Sequence, residues 1–177
     1  MIGQKTEQEF QRRFEENVLP LLKGSPSSAS IYAASKFFMN LPFDLTYWLQ
    51  DLLGDYRVRV RFVALNYRDI GHLASGAFED VLWTLKFNVS RGRVIKPLFF
   101  EEEDRGQVWY IYVVPLFVQK KCLPCHDPGA PYAEEIRKAF PEDRALGLKE
   151  GELRGAIVIE MARGALNRFV SRVSRNP

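Results

Sequence analysis

The chain has 177 residues, 46% of them hydrophobic and 13% aromatic, which suffices for one folded domain spanning residues 1–177 with a real core and excludes a disordered chain. The 25 Lys and Arg are dispersed among 22 Asp and Glu, for a net charge of +3 and a pI near 8.9, so no nucleic-acid partner is implied. No run approaches the roughly 20 apolar residues of a membrane-spanning helix. The amino end, MIGQKTEQEFQRRFEE, is charged where a secretory leader is apolar, so the chain as written is expected to be soluble.

Over residues 6–22 Phe10, Phe14, Val18, Leu21 and Leu22 recur at spacings near three and four, which predicts an amphipathic helix closed by Gly24 and Pro26. Hydroxyls in residues 25–30 can cap a second helix reaching about Met39, and Pro42 followed by Asp44 marks a third, shorter one ending at Gly54. The period then changes. Residues 57–63 alternate Arg57, Arg59 and Arg61 with Val58, Val60 and Phe62, the pattern of a half-buried strand whose basic face is wet.

Further strands are expected at 81–89, 94–100 and 108–118, with turns at Arg91–Gly92 and Asp104–Gly106. The acidic run from Glu101 to Asp104 reads as a solubilising turn, and Trp109, Tyr110 and Tyr112 as core aromatics. A Pro/Gly-rich loop at 127–131, a helix at 132–140, a strand at 155–161 and a closing helix carrying Leu166, Phe169 and Val170 complete the chain. The fold class expected is α+β: an antiparallel sheet of about five strands with flanking helices at both ends.

The only two cysteines, Cys122 and Cys125, are followed at once by His126. The run Cys122-Leu123-Pro124-Cys125-His126 fits C-x-x-C-H, in which two thiols add to the vinyl groups of one haem and the adjacent imidazole takes the iron. The spacing lets one short loop reach both vinyls and bring the histidine beneath the metal. A thioredoxin-like dithiol is a competing reading, but Asp127, Pro128 and Gly129 break a helix where its dipole would be needed. Zinc is another, and it wants four ligands where only His72 and His126 accompany the thiols. No nucleophile–base pair, phosphate loop or carboxylate dyad stands out, so no catalysis is expected.

The run CLPCHDPGAPYAEEIRKAFPEDRALGLKEGELRGAIVIEM resembles the carboxy-terminal signature of the Tll0287-like c-type haem domains. The matching positions are C-x-x-C-H, then Phe140, Pro141 and Asp143, then Gly147, Lys149, Gly151, Glu152, Leu153 and Gly155. Upstream, Arg68-Asp69 with Phe78-Glu79 is similar to that family's Arg-Asn-Pro-x-Asn segment followed by an aromatic-Glu pair, with Asp69 and Ile70 replacing Asn and Pro and one residue inserted. The resemblance implies a PAS-like fold holding one covalent haem c, with Arg68 as a partner for a haem propionate. It also implies a position outside the cytoplasm, because covalent attachment is normally completed there. Some members carry a cysteine on an early helix as the distal iron ligand, near what would be residues 29–34 here, and this chain has none there.

Candidates for the sixth iron position are therefore His72, inside the segment the resemblance places near the haem, Met39, Met161, Tyr32, water, or nothing. The function expected is a haem-based sensor of redox state or of a small diatomic gas. The alternative is a periplasmic electron-transfer cytochrome c working with a redox partner protein. A leader and an output module are expected to have been removed, the full-length protein to be tethered outside the membrane, and a homodimer is compatible with this picture.

Overall fold

Leu41, Leu45, Leu49 and Leu53 recur every four residues and are almost fully buried, and this stripe sets the longest element of the protein. The computed structural model describes residues 2–24, 26–130 and 133–173, without the side chains of Phe169, Arg172 and Val173. The expected capping role of Ser25, the loop end at Pro131, the helix start at Tyr132 and the packing of Phe169 lie outside the described residues. Helix α1 (Ile2–Asn17) ends in a 3₁₀ turn at Leu19–Leu22, where Pro20 stops the α-helical pattern expected to run on to residue 22.

Helix α2 (Ser28–Leu53) is continuous. Its Ser27 cap accepts from the Ser30 N–H at 3.1 Å, and Gly54 closes it in the left-handed region at φ 63°. The break expected at Pro42 does not occur. An interior proline costs on the order of 3 kcal/mol, but the leucine stripe runs through it, and burial on both sides holds one helix where propensity alone gives two. Just beyond, the Thr46 hydroxyl donates to the Pro42 carbonyl at 2.9 Å and accepts from the Val60 N–H at 2.8 Å, stitching α2 to the outer edge of β1 (Val58–Val63). Gln50 donates to the Val58 carbonyl of the same edge at 2.9 Å, so that edge is covered rather than open to another strand.

The segment expected as a strand at 81–89 is helix α3 (Ala77–Ser90), and this corrects the five-strand sheet to four. Phe78, Leu82 and Leu85 are its buried residues, at helical spacing, while Trp83 and Phe87 stand exposed and give the segment its misleading strand-like composition. Strands β2 (Leu98–Asp104) and β3 (Gln107–Phe117) form a hairpin. Its two-residue turn, Arg105 and Gly106, has positive φ at both positions, the twist that suits a tight hairpin. The acidic run is thus the exposed edge strand, not the turn, and its charges discourage edge pairing.

After a single turn, α4 (Leu123–His126), come α5 (Ala133–Ala139), β4 (Leu153–Ala162) and α6 (Arg163–Val173). The sheet order is β1-β4-β3-β2, antiparallel throughout. One face, with Val58, Val60, Val114, Ile157, Ile159 and Met161, packs under α1, α2 and Leu166 of α6; the other, with Val63, Ile111, Val113 and Val158, packs on α3. Among the described residues no helix is long and apolar enough to cross a membrane.

Candidate functional site

Lys120–Cys122 forms a 3₁₀ turn that runs into α4, and the chain leaves in extended conformation at Asp127. The C-x-x-C-H run is therefore one compact coil with its cysteines packed on different sides. Cys122 sits with Val118, Ala145 and Leu148, and Cys125 with Ile31, Met39, Ile136 and Phe140. Between them opens a pocket that is partly open to solvent. Its walls are Phe14 of α1, Val18 just after it, Ser35, Phe38 and Met39 of α2, His72, Arg68, Arg154 and the C-x-x-C-H coil.

The segment after α5 clamps this coil. The Gly147 N–H donates to the His126 carbonyl at 2.7 Å, and the His126 Nδ1 lies 2.8 Å from the Ala145 carbonyl. A carbonyl only accepts, so Nδ1 carries the proton and the lone pair is left on Nε2. The other contact agrees: Arg154 Nε donates to His126 Nε2 at 3.3 Å. Burial, then the charges of Arg154 and Arg68, holds the His126 ring well below its ordinary pKa of 6.5, against a smaller upward pull from the Ala145 bond. The ring is neutral at neutral pH, with its free nitrogen in the pocket.

Arg68 lies 2.8 Å from Asp143 through Nε and donates from Nη2 to the Cys125 carbonyl at 2.5 Å. The other Asp143 oxygen accepts from the Ala145 N–H at 2.6 Å. One carboxylate thus fixes the backbone of the second cysteine and the carbonyl that orients the histidine. The Cys125 thiol is pushed up by burial, with Arg68 pulling the other way, which is opposite to what an attacking dithiol needs. Among the described residues no group of three or more His, Cys, Asp and Glu side chains is placed to hold a metal ion, so the zinc reading finds no site there.

Arg154 carries no role in the sequence reading. Strand β4 slips register against β3 between Leu116 and Phe117, whose partners are Gly155 and Leu153, leaving Arg154 as the extra residue of a bulge. Gly155 makes this possible with φ 152°; a Cβ there would stand 2.3 Å from the Val63 carbonyl and 2.9 Å from the Phe62 ring. The bulge sends Arg154 into the pocket, where it lies over the Phe62 ring at 4.9 Å and donates from Nη1 to the Asn66 carbonyl at 3.0 Å. Burial, then the like charge of Arg68, pushes its guanidinium down to about 9, which leaves it charged at neutral pH.

His72 lines the same pocket from a 3₁₀ turn, Ile70–His72, capped by Asp69 and tied to the end of β1 by bonds between Ala64 and His72 (2.8 Å) and between Ala74 and Ala64 (2.9 Å). Its ring meets Phe62 edge-on at 5.4 Å. Burial lowers its pKa, and the Asp69 carboxylate partly offsets this against the further downward push of the Arg154 charge. Met39 and Ser35 also line the pocket, and the Ser35 hydroxyl is buried with no hydrogen-bond partner among the described residues.

The other candidates lie elsewhere. Met161 belongs to the core between the sheet and α2, and Tyr32 is half exposed, stacked on Phe140 at 6.1 Å. Arg59 and Arg61 pair with buried Glu160 at 2.6 and 2.7 Å on the α3 face, so they are not a free basic face.

The model of one protein family, Tll0287-like, matches residues 4–162. Among solved structures, the crystal structure of the cyanobacterial heme-protein Tll0287 is similar with a TM-score of 0.55 and 22% identity, covering 90% of this chain and 91% of that one. No curated protein matches the chain.

Proposed function

The chain belongs to the Tll0287-like family, and on that premise we propose that it is a PAS-like c-type haem protein holding one covalent haem outside the cytoplasm. The observation that carries this reading is His126, whose Nδ1–H is spent on the Ala145 carbonyl so that a neutral imidazole offers Nε2 to a pocket flanked by both cysteines. That is the tautomer and support a metal-bound histidine requires. The lining also suits an apolar ring with acidic substituents: apolar helix residues wall the pocket, and the buried Arg154 guanidinium stands in it.

Cys122 and Cys125 would each form a thioether by adding S–H across a vinyl group, sulfur to one carbon and the proton to its neighbour, with no change of oxidation state at sulfur. When bound, the iron supplies one-electron redox chemistry and a position for a diatomic ligand. Asp143, Arg68 and the 145–147 segment hold the coil in register for this. His72 would supply the sixth ligand, its ring packed edge-on against Phe62.

We read the protein as a sensor rather than a carrier because the pocket's far wall is α2 itself. With haem bound, a change at the iron would be felt by Ser35 and Met39, which line the pocket from the helix that also covers β1. The electron-carrier reading draws on the presence of both His72 and His126 in the lining of one pocket. The visible spectrum of protein made with c-type maturation machinery, repeated after acid–organic extraction, tests the attachment; haem that leaves the polypeptide refutes it. Carbon monoxide then separates the functions. Ready binding to the reduced protein supports the sensor, and refusal at moderate pressure supports the carrier.

A further inference from the structure

Three cations border the pocket, and two have acidic partners. Lys121 is 3.0 Å from Glu15, and Arg68 is 2.8 Å from Asp143. Arg154 is as buried as Arg68, yet no carboxylate lies within ion-pair distance of it among the described residues. Its partners are a neutral imidazole nitrogen and a backbone carbonyl, and its Nη2 has no hydrogen-bond partner among those residues. A buried guanidinium with no carboxylate in ion-pair contact is costly, and here a glycine-dependent bulge is maintained that delivers it to the pocket.

Its bond to His126 is also provisional. Nε2 has one lone pair, already accepting from Arg154, and a metal–imidazole bond of about 2 Å uses the same pair. Both cannot hold it. We propose that Arg154 is a carboxylate-binding residue of this pocket: it gives up the His126 ring when haem enters and pairs with one of the haem's two carboxylates. The inference rests on the haem reading above and names the partner of the one cation that site leaves unmatched. Arg68, committed through Nε and Nη2 to Asp143 and the Cys125 carbonyl, is the structural cation rather than the ligand-binding one.

The test uses the full chain produced haem-free with its thiols reduced, titrated with ferric haem and with ferric haem dimethyl ester, which has the same ring and no free carboxylate. Wild type should prefer haem over the ester. Arg154→Gln should lose roughly ten- to a hundredfold in haem affinity, the span of one charged hydrogen-bonded contact, with its ester affinity within twofold of wild type. Arg154→Lys should recover part of the loss. Equal weakening toward both ligands, or none toward haem, overturns the proposal. So does equal affinity of wild type for haem and ester, a result that needs no variant to fold. Wild type that takes up neither ligand refutes the haem reading itself, and the assignment of Arg154 falls with it.

Discussion

Asp143 and Arg68 are buried together with 2.8 Å between carboxylate and guanidinium, and through this pair the carbonyl of Cys125 is fixed from a segment 18 residues further along the chain. Removing one partner of a buried pair leaves the other charge uncompensated, at a cost of about 3–5 kcal/mol. Asp143→Ala should therefore lower unfolding stability by about that amount, measured by urea denaturation of the haem-free chain, and should reduce the yield of haem-attached protein. A loss below about 1 kcal/mol would show that the pair does not hold the coil.

Gly155→Ala tests the bulge. The new methyl would meet the Val63 carbonyl and the Phe62 ring in a backbone conformation that side chains rarely adopt. Strain and overpacking of this kind cost on the order of 3 kcal/mol, and the strand must shift to relieve them. The expected outcome is a matching loss of stability together with a changed His126 ring signal in ¹H–¹⁵N spectra as Arg154 is displaced. Wild-type stability with an unmoved histidine would show that the register slip does not depend on this glycine.

Much of this fold is legible in the residues, and the exceptions have physical causes. The alternation at 57–63 and the leucines of α2 report one buried face each, which is what hydrophobic periodicity encodes. Pro42 and the 81–89 segment mislead because local propensity points one way and packing another; Phe78, Leu82 and Leu85 keep a helical period, but exposed Trp83 and Phe87 mask it. The C-x-x-C-H run announces itself, since its chemistry is local. Arg154 does not, because its placement depends on a register slip between two strands about 40 residues apart in sequence, and register is set by tertiary pairing.

Acid should weaken the haem-free protein through its histidines. His126 and His72 both have folded pKa values below 6.5, so the unfolded chain takes up protons that the folded chain refuses. Stability is then fully present above the unfolded value and declines as pH falls below about 6.5, by up to about 1.4 kcal/mol per pH unit for each histidine. Urea unfolding at pH 7.5, 6.0 and 5.0 should show this slope, and His126→Gln should remove one histidine's share of it. Identical slopes in the two proteins would mean that the His126 ring is protonated in the fold, contrary to its bond with Arg154.

On the proposed haem reading, His72 would hold the iron on its second side. Its turn is pinned to β1 through Ala64, and its ring packs edge-on against Phe62, so it enters the pocket already oriented. A preoriented neutral imidazole is a strong iron ligand, and one carried on a three-residue turn is also displaceable. His72→Ala should convert the ferric protein from a low-spin to a high-spin visible spectrum and speed carbon monoxide binding to the reduced form at least tenfold, since no protein ligand has to leave first. His72→Ala should leave the thioethers intact, because neither cysteine depends on that turn. An unchanged spectrum would remove His72 from the iron and move the search to Met39, the remaining thioether in the pocket wall.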